Sequence, residues 1–311
     1  MKKLLQDKSF RLAILLTLLF HGTGILFLFL GLAEFSIILF GLLPIVLGIS
    51  IGALPNRKWA IVGAIIASLF FLYGLLSFGL AGFICIIYSI PIILPLIFLG
   101  SVITHLIDRY RKIKTDKFYV LLLPLIPFLI AAPTESVINK NEKLHIDVKT
   151  EKIFNYTSEQ VYDAIKSVDT LDAEKPFLMN FDLPVPIKCI LEKEEVGGIR
   201  TCYFDGGNLS RGEYGGGTIT ERIVELKRGR ILRMEVIDYQ LVGRNWLGFK
   251  EATYYFDKID NHKCKLTRVT TYTSVLQPRF YWEPLEIEGI EQEHEYVFNN
   301  LAKDLKKKYS R

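Results

Sequence analysis

Five runs of apolar residues fill most of the first 133 residues of this 311-residue chain, and they constrain its fold more than any other feature. A helix needs about 20 consecutive apolar residues to cross the hydrocarbon core of a bilayer. The runs cover residues 12–32, 35–54, 60–78, 80–106 and 118–132. The first four are long enough to span and the fifth is short. The sequence therefore predicts four or five transmembrane helices.

The charged residues divide the chain at the same place. Residues 1–133 carry 11 Lys and Arg and 4 Asp and Glu, whereas residues 134–311 carry 27 and 29. This division indicates a transmembrane domain (1–133), a linker (134–143) and a soluble domain (144–311). The excess positive charge lies beside the apolar runs and not on the soluble domain, which argues against binding of nucleic acid.

The eleven cationic residues of the transmembrane domain all lie on one side of the predicted spans. They precede the first run, separate the second from the third, and separate the fourth from the fifth. Lys and Arg concentrate in cytoplasmic loops, so we expect a cytoplasmic N-terminus in a bacterial-type cytoplasmic membrane. Five spans place the soluble domain outside the cytoplasm. If residues 118–132 only lay along the membrane surface, the domain would stay inside.

Few residues inside the apolar runs suggest a function beyond anchoring the chain in the membrane. His21 fits either a proton pathway or a neutral side chain packed between helices, and the lack of an acidic partner within the runs favours packing. Small residues permit close approach of helices in a membrane. We therefore expect close packing at Gly22, Gly24, Gly48 and Gly52.

From residue 144 the pattern becomes that of an α+β domain. Apolar residues alternate with polar ones from 144 to 148, which predicts a strand. Thr157 and Gln160 have the spacing of a capping box at the start of a short helix. About six strand-like segments follow, and residues 279–308 predict a long amphipathic helix. We expect a curved antiparallel sheet wrapped on that helix, with an elongated cavity between them.

Residues 145–309 also contain a series of short motifs in a characteristic order. They are Val196-Gly197-Gly198-Ile199-Arg200, Phe204-Asp205-Gly206-Gly207, Ile219-Thr220-Glu221-Arg222-Ile223, Leu266-Thr267-Arg268-Val269-Thr270-Thr271-Tyr272 and Leu276-Gln277-Pro278-Arg279-Phe280-Tyr281-Trp282, followed by His294. In this order they resemble the SRPBCC superfamily, which includes START lipid-transfer domains and polyketide cyclases. The resemblance implies a helix-grip fold with a pocket for an apolar or amphipathic ligand. It does not imply one chemistry, because the superfamily contains carriers, receptors and enzymes.

Two charged residues are candidates for the wall of that pocket. Glu221 lies on the same strand face as Ile219 and Ile223, so it points inward if they do. A buried carboxylate needs a partner, and Arg268 is the candidate by pattern. Such a pair could orient a polar ligand head or take part in acid–base chemistry. It could equally be a structural ion pair, or both residues could face water.

The remaining candidates are a histidine and three aromatic residues. His294 lies in the apolar stripe of the terminal helix and fits either acid–base chemistry or a packed pocket wall. Tyr272 shares the strand face of Arg268. Tyr281 and Trp282 begin the terminal helix and fit a pocket mouth, a membrane-interface anchor or ordinary packing.

The sequence contains no motif for metal or nucleotide chemistry. The glycine-rich stretch 206–217 lacks the dinucleotide and phosphate-loop patterns, and neither a serine-hydrolase elbow nor a zinc motif occurs. We therefore expect no cofactor and no metal. Cys189 and Cys202 lie on consecutive predicted strands and either pair or remain free, because the intervening turn does not fix the register.

The leading hypothesis is a membrane-anchored domain that binds or carries a small hydrophobic or amphipathic ligand, such as a lipid. Its expected partners are the bilayer and that ligand, and the sequence identifies no protein partner. Two alternatives remain open. One is a cyclase- or hydrolase-type enzyme that uses Glu221, Arg268 or His294, and the other is a non-catalytic ligand sensor.

Overall fold

A computed structural model describes residues 6–111, 116–138, 144–181, 183–206, 215–243 and 246–309. The chain forms two compact units. The first, here called the helical unit, contains Met1–Phe78, Cys85–Glu142 and Val275–Arg279. The second, the sheet unit, contains Gly79–Ile84, Lys143–Ser274 and Phe280–Arg311.

Apolar helices build the helical unit. They are α1 (Lys8–Phe29), α2 (Leu43–Gly52, preceded by a π-helical turn at Ile38–Leu42), α3 (Arg57–Ser77), α4 (Phe83–Arg111), α5 (Phe118–Leu122) and α6 (Ile126–Ile138), with a 3-10 turn at Leu123–Leu125 between the last two. Four stretches are long and apolar enough to cross a membrane: Lys8–Phe29, Arg57–Ser77, Phe83–Arg109 and Phe118–Ile138. This confirms the predicted membrane-type helical region.

The lengths of the second and fifth apolar runs differ from the prediction. The second forms only the shorter helix Ile38–Gly52, and the fifth reaches 21 residues because its helix continues to Ile138. Polar side chains in this extension are satisfied by hydrogen bonds. Glu135 accepts one from the Ser36 hydroxyl, and the Ser136 hydroxyl donates to the Gly31 carbonyl, 2.9 Å away. The start of the predicted linker is therefore helical.

The shorter helix Ile38–Gly52 nevertheless connects the two ends of the bundle. It begins just after Ser36, which bonds Glu135 near the end of α6. It ends at Gly52, whose carbonyl accepts a hydrogen bond from Arg57 Nε at 2.7 Å. Arg57 also pairs with Asp108 near the end of α4, 2.8 Å away. The described residues thus pass five times between the two ends, and α1 begins at the end opposite to the one where α6 finishes.

Close packing in the bundle depends on glycine. A Cβ atom on Gly48 would collide with the carbonyl oxygen of Ile97, and one on Gly100 would collide with that of Ile45. The Thr104 hydroxyl adds a hydrogen bond to the Ile49 carbonyl at 3.0 Å. These contacts hold α2 against α4. The expectation of close packing is wrong for Gly22, where an added Cβ would meet nothing within 4 Å.

We expect Gly48→Ala to destabilise the helical unit by about 1–3 kcal/mol, because α2 and α4 must separate to admit the methyl group. Gly22→Ala is the matched control, since the same methyl group meets open space there. It should leave stability unchanged or raise it slightly. Thermal unfolding of the full chain in detergent measures both variants. Equal melting temperatures for the two would contradict this account of the α2–α4 contact.

In the part of the sheet unit that the structure describes there are seven antiparallel strands and two α-helices, with a 3-10 turn at Leu178–Asn180. They are β1 (Leu144–Phe154), α7 (Ser158–Ile165), β2 (Val185–Leu191), β3 (Ile199–Asp205), β4 (Gly217–Lys227), β5 (Ile231–Leu241), β6 (Leu247–Lys258), β7 (Cys264–Ser274) and α8 (Arg279–Tyr309). The strand order is β1-β7-β6-β5-β4-β3-β2, so β2 to β7 form a meander and β1 joins beside β7. This half-barrel packs on α8, which confirms the predicted fold class.

The two helices of the sheet unit bury the faces that the sequence predicts. The capping box is present, with the Thr157 hydroxyl accepting from the Gln160 N–H at 3.2 Å and the Gln160 side chain accepting from the Thr157 N–H at 2.9 Å. On α8 the buried residues include Ile290, His294 and Leu301. These helices share one apolar core with the inner face of the sheet.

The edge of the sheet at β2 is covered and cross-linked. Cys189 and Cys202 lie directly opposite each other on β2 and β3 and form a disulfide. On its other side β2 is hydrogen-bonded to the segment before it. Val168 and Cys189 exchange two backbone hydrogen bonds of 2.6 and 2.8 Å, and the Leu171 N–H donates to the Ile187 carbonyl at 2.8 Å.

Candidate functional site

Charged side chains lie inside the sheet unit, where a soluble domain normally places apolar ones. Glu221 is 6% exposed, and Arg200 is 4% exposed. The two face each other across β3 and β4, and Arg200 Nε donates to a Glu221 carboxylate oxygen 2.7 Å away. Burial alone would lower the pKa of Arg200, but the adjacent carboxylate raises it above its usual value. The guanidinium therefore stays charged inside the domain.

The predicted pairing of Glu221 with Arg268 is wrong. Arg268, on β7, instead pairs with Glu293 of α8, through Nη2 at 2.9 Å and Nη1 at 3.2 Å. The reason is the strand order, because β5 and β6 lie between β4 and β7 whereas β3 is the direct neighbour of β4. The sequence pattern identifies neither Arg200 nor Glu293 as a partner.

A tyrosine ring lies close to both guanidinium groups. Tyr254 is on β6, opposite Arg268 in the register of β6 and β7. Its ring centroid is 5.5 Å from the Arg268 guanidinium carbon and 5.6 Å from that of Arg200. Both cations are thus within range of attraction by the ring electrons. The ring links the two ion pairs into one buried group.

His294 is fully buried beside this group and is hydrogen-bonded through both ring nitrogens. Nδ1 lies 2.7 Å from the Thr150 hydroxyl and Nε2 lies 2.7 Å from the Thr270 hydroxyl. A neutral imidazole has one donor and one acceptor, so one threonine accepts and the other donates. Burial, followed by the positive charge of Arg268, holds the pKa of His294 well below its usual value. The ring is therefore neutral at physiological pH.

A third carboxylate lies nearer the end of β7. Glu286 of α8 is buried and accepts hydrogen bonds from the Tyr272 hydroxyl at 3.0 Å and the Ser274 hydroxyl at 2.6 Å. The alternation of residues along the strands does not identify Glu286 as buried, because Glu286 lies on a helix. It lies four residues before Ile290 and eight before His294, so helical periodicity alone would place it on the inner stripe.

The aromatic pair at the start of α8 is packed ring against ring. Tyr281 and Trp282 have ring centroids 5.2 Å apart and are nearly perpendicular, at 89°. Trp282 is 4% exposed. Tyr281 is half-buried, and burial raises the pKa of its hydroxyl. Both residues thus make the packing contact that is one of the three roles proposed for them.

These residues form a polar layer between two apolar ones. On β7 the inward side chains run from Leu266 through Arg268 and Thr270 to Tyr272. Leu266 belongs to the large apolar cluster around α7 and the end of α8, which we call the lower cluster. Tyr272 belongs to a smaller cluster with Val148 and Ile290, which we call the upper cluster. The polar layer is therefore the side chains of Arg200, Glu221, Arg268, Glu293 and His294, and Tyr254, which belongs to the lower cluster, borders it.

The chemical capacity of the layer is mainly that of hydrogen bonding. Each carboxylate of Glu221 and Glu293 is paired with an arginine, and both nitrogens of His294 are engaged. Proton transfer by His294 would first require one threonine bond to break. Within the described ranges, no three His, Cys, Asp or Glu side chains come together in a way that could hold a metal ion.

We expect the chain to lose thermal stability below about pH 6.5 partly through His294. The unfolded chain takes up a proton there that the folded chain excludes, so unfolding is favoured as the pH falls, by up to about 1.4 kcal/mol per pH unit. His294→Gln should show a shallower loss of melting temperature between pH 7.5 and 5.5, measured on the full chain in detergent. His262→Gln, in the exposed turn after β6, is the control and should follow the wild type. Identical slopes for His294→Gln and the wild type would contradict this assignment.

Solved structures similar to this chain match its C-terminal half. They include the Zhui aromatase/cyclase from Streptomyces sp. R1128 (15% identity over 54% of this chain and 98% of that one, TM-score 0.38). Norcoclaurine synthase from Thalictrum flavum, solved in complex with dopamine and hydroxybenzaldehyde, matches at 14% identity over 56% and 94%, with a TM-score of 0.36. A protein from Chromobacterium violaceum matches at 16% over 51% and 96%, with a TM-score of 0.34.

No family model and no curated protein matches the chain. The identities and scores of the solved structures are too low to transfer an activity, so the strand order and the terminal helix carry the fold assignment. A seven-stranded antiparallel half-barrel closes on α8, with β1 and α7 ahead of the meander. The sheet unit is a helix-grip domain, of the kind that the resemblance to the SRPBCC superfamily predicts.

Proposed function

We propose that this protein binds or carries a hydrophobic or amphipathic ligand, such as a membrane lipid, between the sheet and α8. The observation that carries the proposal is the layered interior, in which a polar layer lies between two apolar clusters. An amphipathic molecule needs a polar surface for its head next to an apolar surface for its body. A domain that only anchored or spaced a partner would have no need for two buried ion pairs, because apolar residues fill a core at lower cost.

The upper cluster is the favoured place for the apolar part of the ligand. It has three buried members, Val148, Tyr272 and Ile290, surrounded by four partly buried ones. The lower cluster has fifteen buried members and is therefore the larger of the two. Covalent attachment to membrane helices would raise the local concentration of a lipid ligand at this site.

We expect a photoactivatable lipid to label the interior of the sheet unit. The probe is a phosphatidylcholine with a diazirine in one acyl chain, added to the full chain in lipid nanodiscs. After irradiation and digestion, mass spectrometry should find label near Val148, Tyr272 and Ile290 as well as in the helical unit. Label confined to the helical unit would contradict the proposal.

A variant pair separates the interior from the surface of α8. Ile290→Trp places a large ring in the upper cluster and should reduce labelling of the sheet unit several-fold. Glu291→Trp adds the same ring at the exposed neighbouring position and should label like the wild type. Equal labelling of both variants would show that the lipid contacts the domain elsewhere.

We further propose that the N-terminus is cytoplasmic and the sheet unit extracytoplasmic. Five passes through the bundle and the clustering of cations at the end where α1 begins support this orientation. The disulfide between Cys189 and Cys202 also supports it, because disulfides persist in oxidising compartments. The remaining domain thiol, Cys264, does not argue against it, since it is buried and burial raises its pKa to about 11.

Labelling of introduced cysteines tests this orientation. Lys307→Cys lies at the exposed end of α8, and Lys117→Cys lies in the exposed connection before α5. A membrane-impermeant maleimide should label Lys307→Cys in intact cells and Lys117→Cys only after the membrane is opened. The wild-type chain is the control for maleimide labelling of the native cysteines. The reverse pattern, or labelling of both in intact cells, would contradict the proposed orientation.

A further inference from the structure

The guanidinium group of Arg268 uses only one of its edges in the protein. Its two terminal nitrogens hold the two carboxylate oxygens of Glu293, at 3.2 and 2.9 Å. This end-on pairing leaves the edge that carries Nε–H. Arg268 is 9% exposed, and among the residues that the structure describes its Nε has no hydrogen-bond partner. Arg200, by contrast, uses Nε to bind Glu221.

A buried donor without an acceptor is unfavourable, so this one points to an acceptor other than the residues that the structure describes. Arg268 lies in the polar layer, two residues along β7 from Leu266 of the lower cluster and four from Tyr272 of the upper cluster.

The charges around Arg268 decide what kind of acceptor fits. Arg200 is balanced by Glu221 and Arg268 by Glu293, and His294 is neutral. A carboxylate or phosphate would add an unbalanced negative charge beside Glu293, inside the protein where charges are costly. A cationic head would be repelled by both guanidinium groups and would offer Nε no acceptor.

We infer that Arg268 Nε binds an uncharged oxygen acceptor of the ligand, such as the carbonyl of an ester, ketone or amide, or a hydroxyl. The inference rests on the proposed function and assigns the class of its ligand. The ligand is then a neutral amphipathic molecule, with its oxygen at the polar layer and its apolar body against Val148, Tyr272 and Ile290.

Three probes with the same 18-carbon unsaturated chain test this assignment. Monoolein has an uncharged ester, oleate is anionic and oleylamine is cationic at pH 7.5. Each is added to the delipidated full chain in detergent, and native mass spectrometry measures the bound fraction. Monoolein should bind about 10-fold more tightly than either charged probe, which is the ratio that one well-placed buried hydrogen bond supplies.

A variant of Arg268 tests the role of Nε itself. Arg268→Lys retains the positive charge that faces Glu293 but has no Nε donor, so it should lose the preference for monoolein. Arg222→Lys makes the same change at an exposed ion pair with Glu235 on the outer face of β4, and it should keep the preference. The comparison of probes on the wild-type chain requires no substitution, so it decides the assignment even if Arg268→Lys does not fold.

The outcomes separate the two proposals. Equal binding of the three probes, or tighter binding of oleate, would overturn the neutral-acceptor assignment and leave lipid binding intact. Full preference for monoolein in a folded Arg268→Lys would also overturn it, because the preference would then not depend on Nε. Failure of all three probes to bind would overturn the proposed function, and this inference with it.

Discussion

The ion pair between Arg268 and Glu293 joins the middle of β7 to the middle of α8. A half-barrel that packs on a helix must hold the helix at one position along the helix axis. Apolar contacts alone do little to fix that position. A two-pronged ion pair fixes both distance and direction. Tyr254 and the pair of Arg200 with Glu221 extend this contact across the sheet, so strands from both sides of the barrel meet at one level. The apolar clusters then lie above and below that level.

Local patterns predict which residues lie inside, and long-range register decides which of them meet. Glu221 is buried as its alternation with Ile219 and Ile223 indicates. Its partner depends on how β3 pairs with β4 across a long connection, and a shift of one residue would turn Arg200 outward. The sequence does not determine that register. The pairing of Cys189 with Cys202 depends on register in the same way.

The membrane part shows the same limit for helix ends. Hydropathy locates the apolar runs because the bilayer selects for residue type along a continuous stretch. It does not locate the end of α6, because Glu135 is polar and is accommodated only through the Ser36 hydroxyl, about one hundred residues earlier in the chain. Similarly, a glycine is needed for close helix packing only where backbone atoms of another helix lie next to it. Gly48 qualifies and Gly22 does not, although both lie within apolar runs.

The covered edge at β2 has a consequence for how the protein behaves among other chains. An open edge strand offers unpaired backbone groups on which a second sheet can grow, which is a common route to aggregation. Here the segment from Val168 to Leu171 occupies those groups, the disulfide fixes the strand behind them, and Pro186 contributes no N–H. Copies of the domain brought close together are thus kept from associating through strand addition at the β2 edge of the sheet.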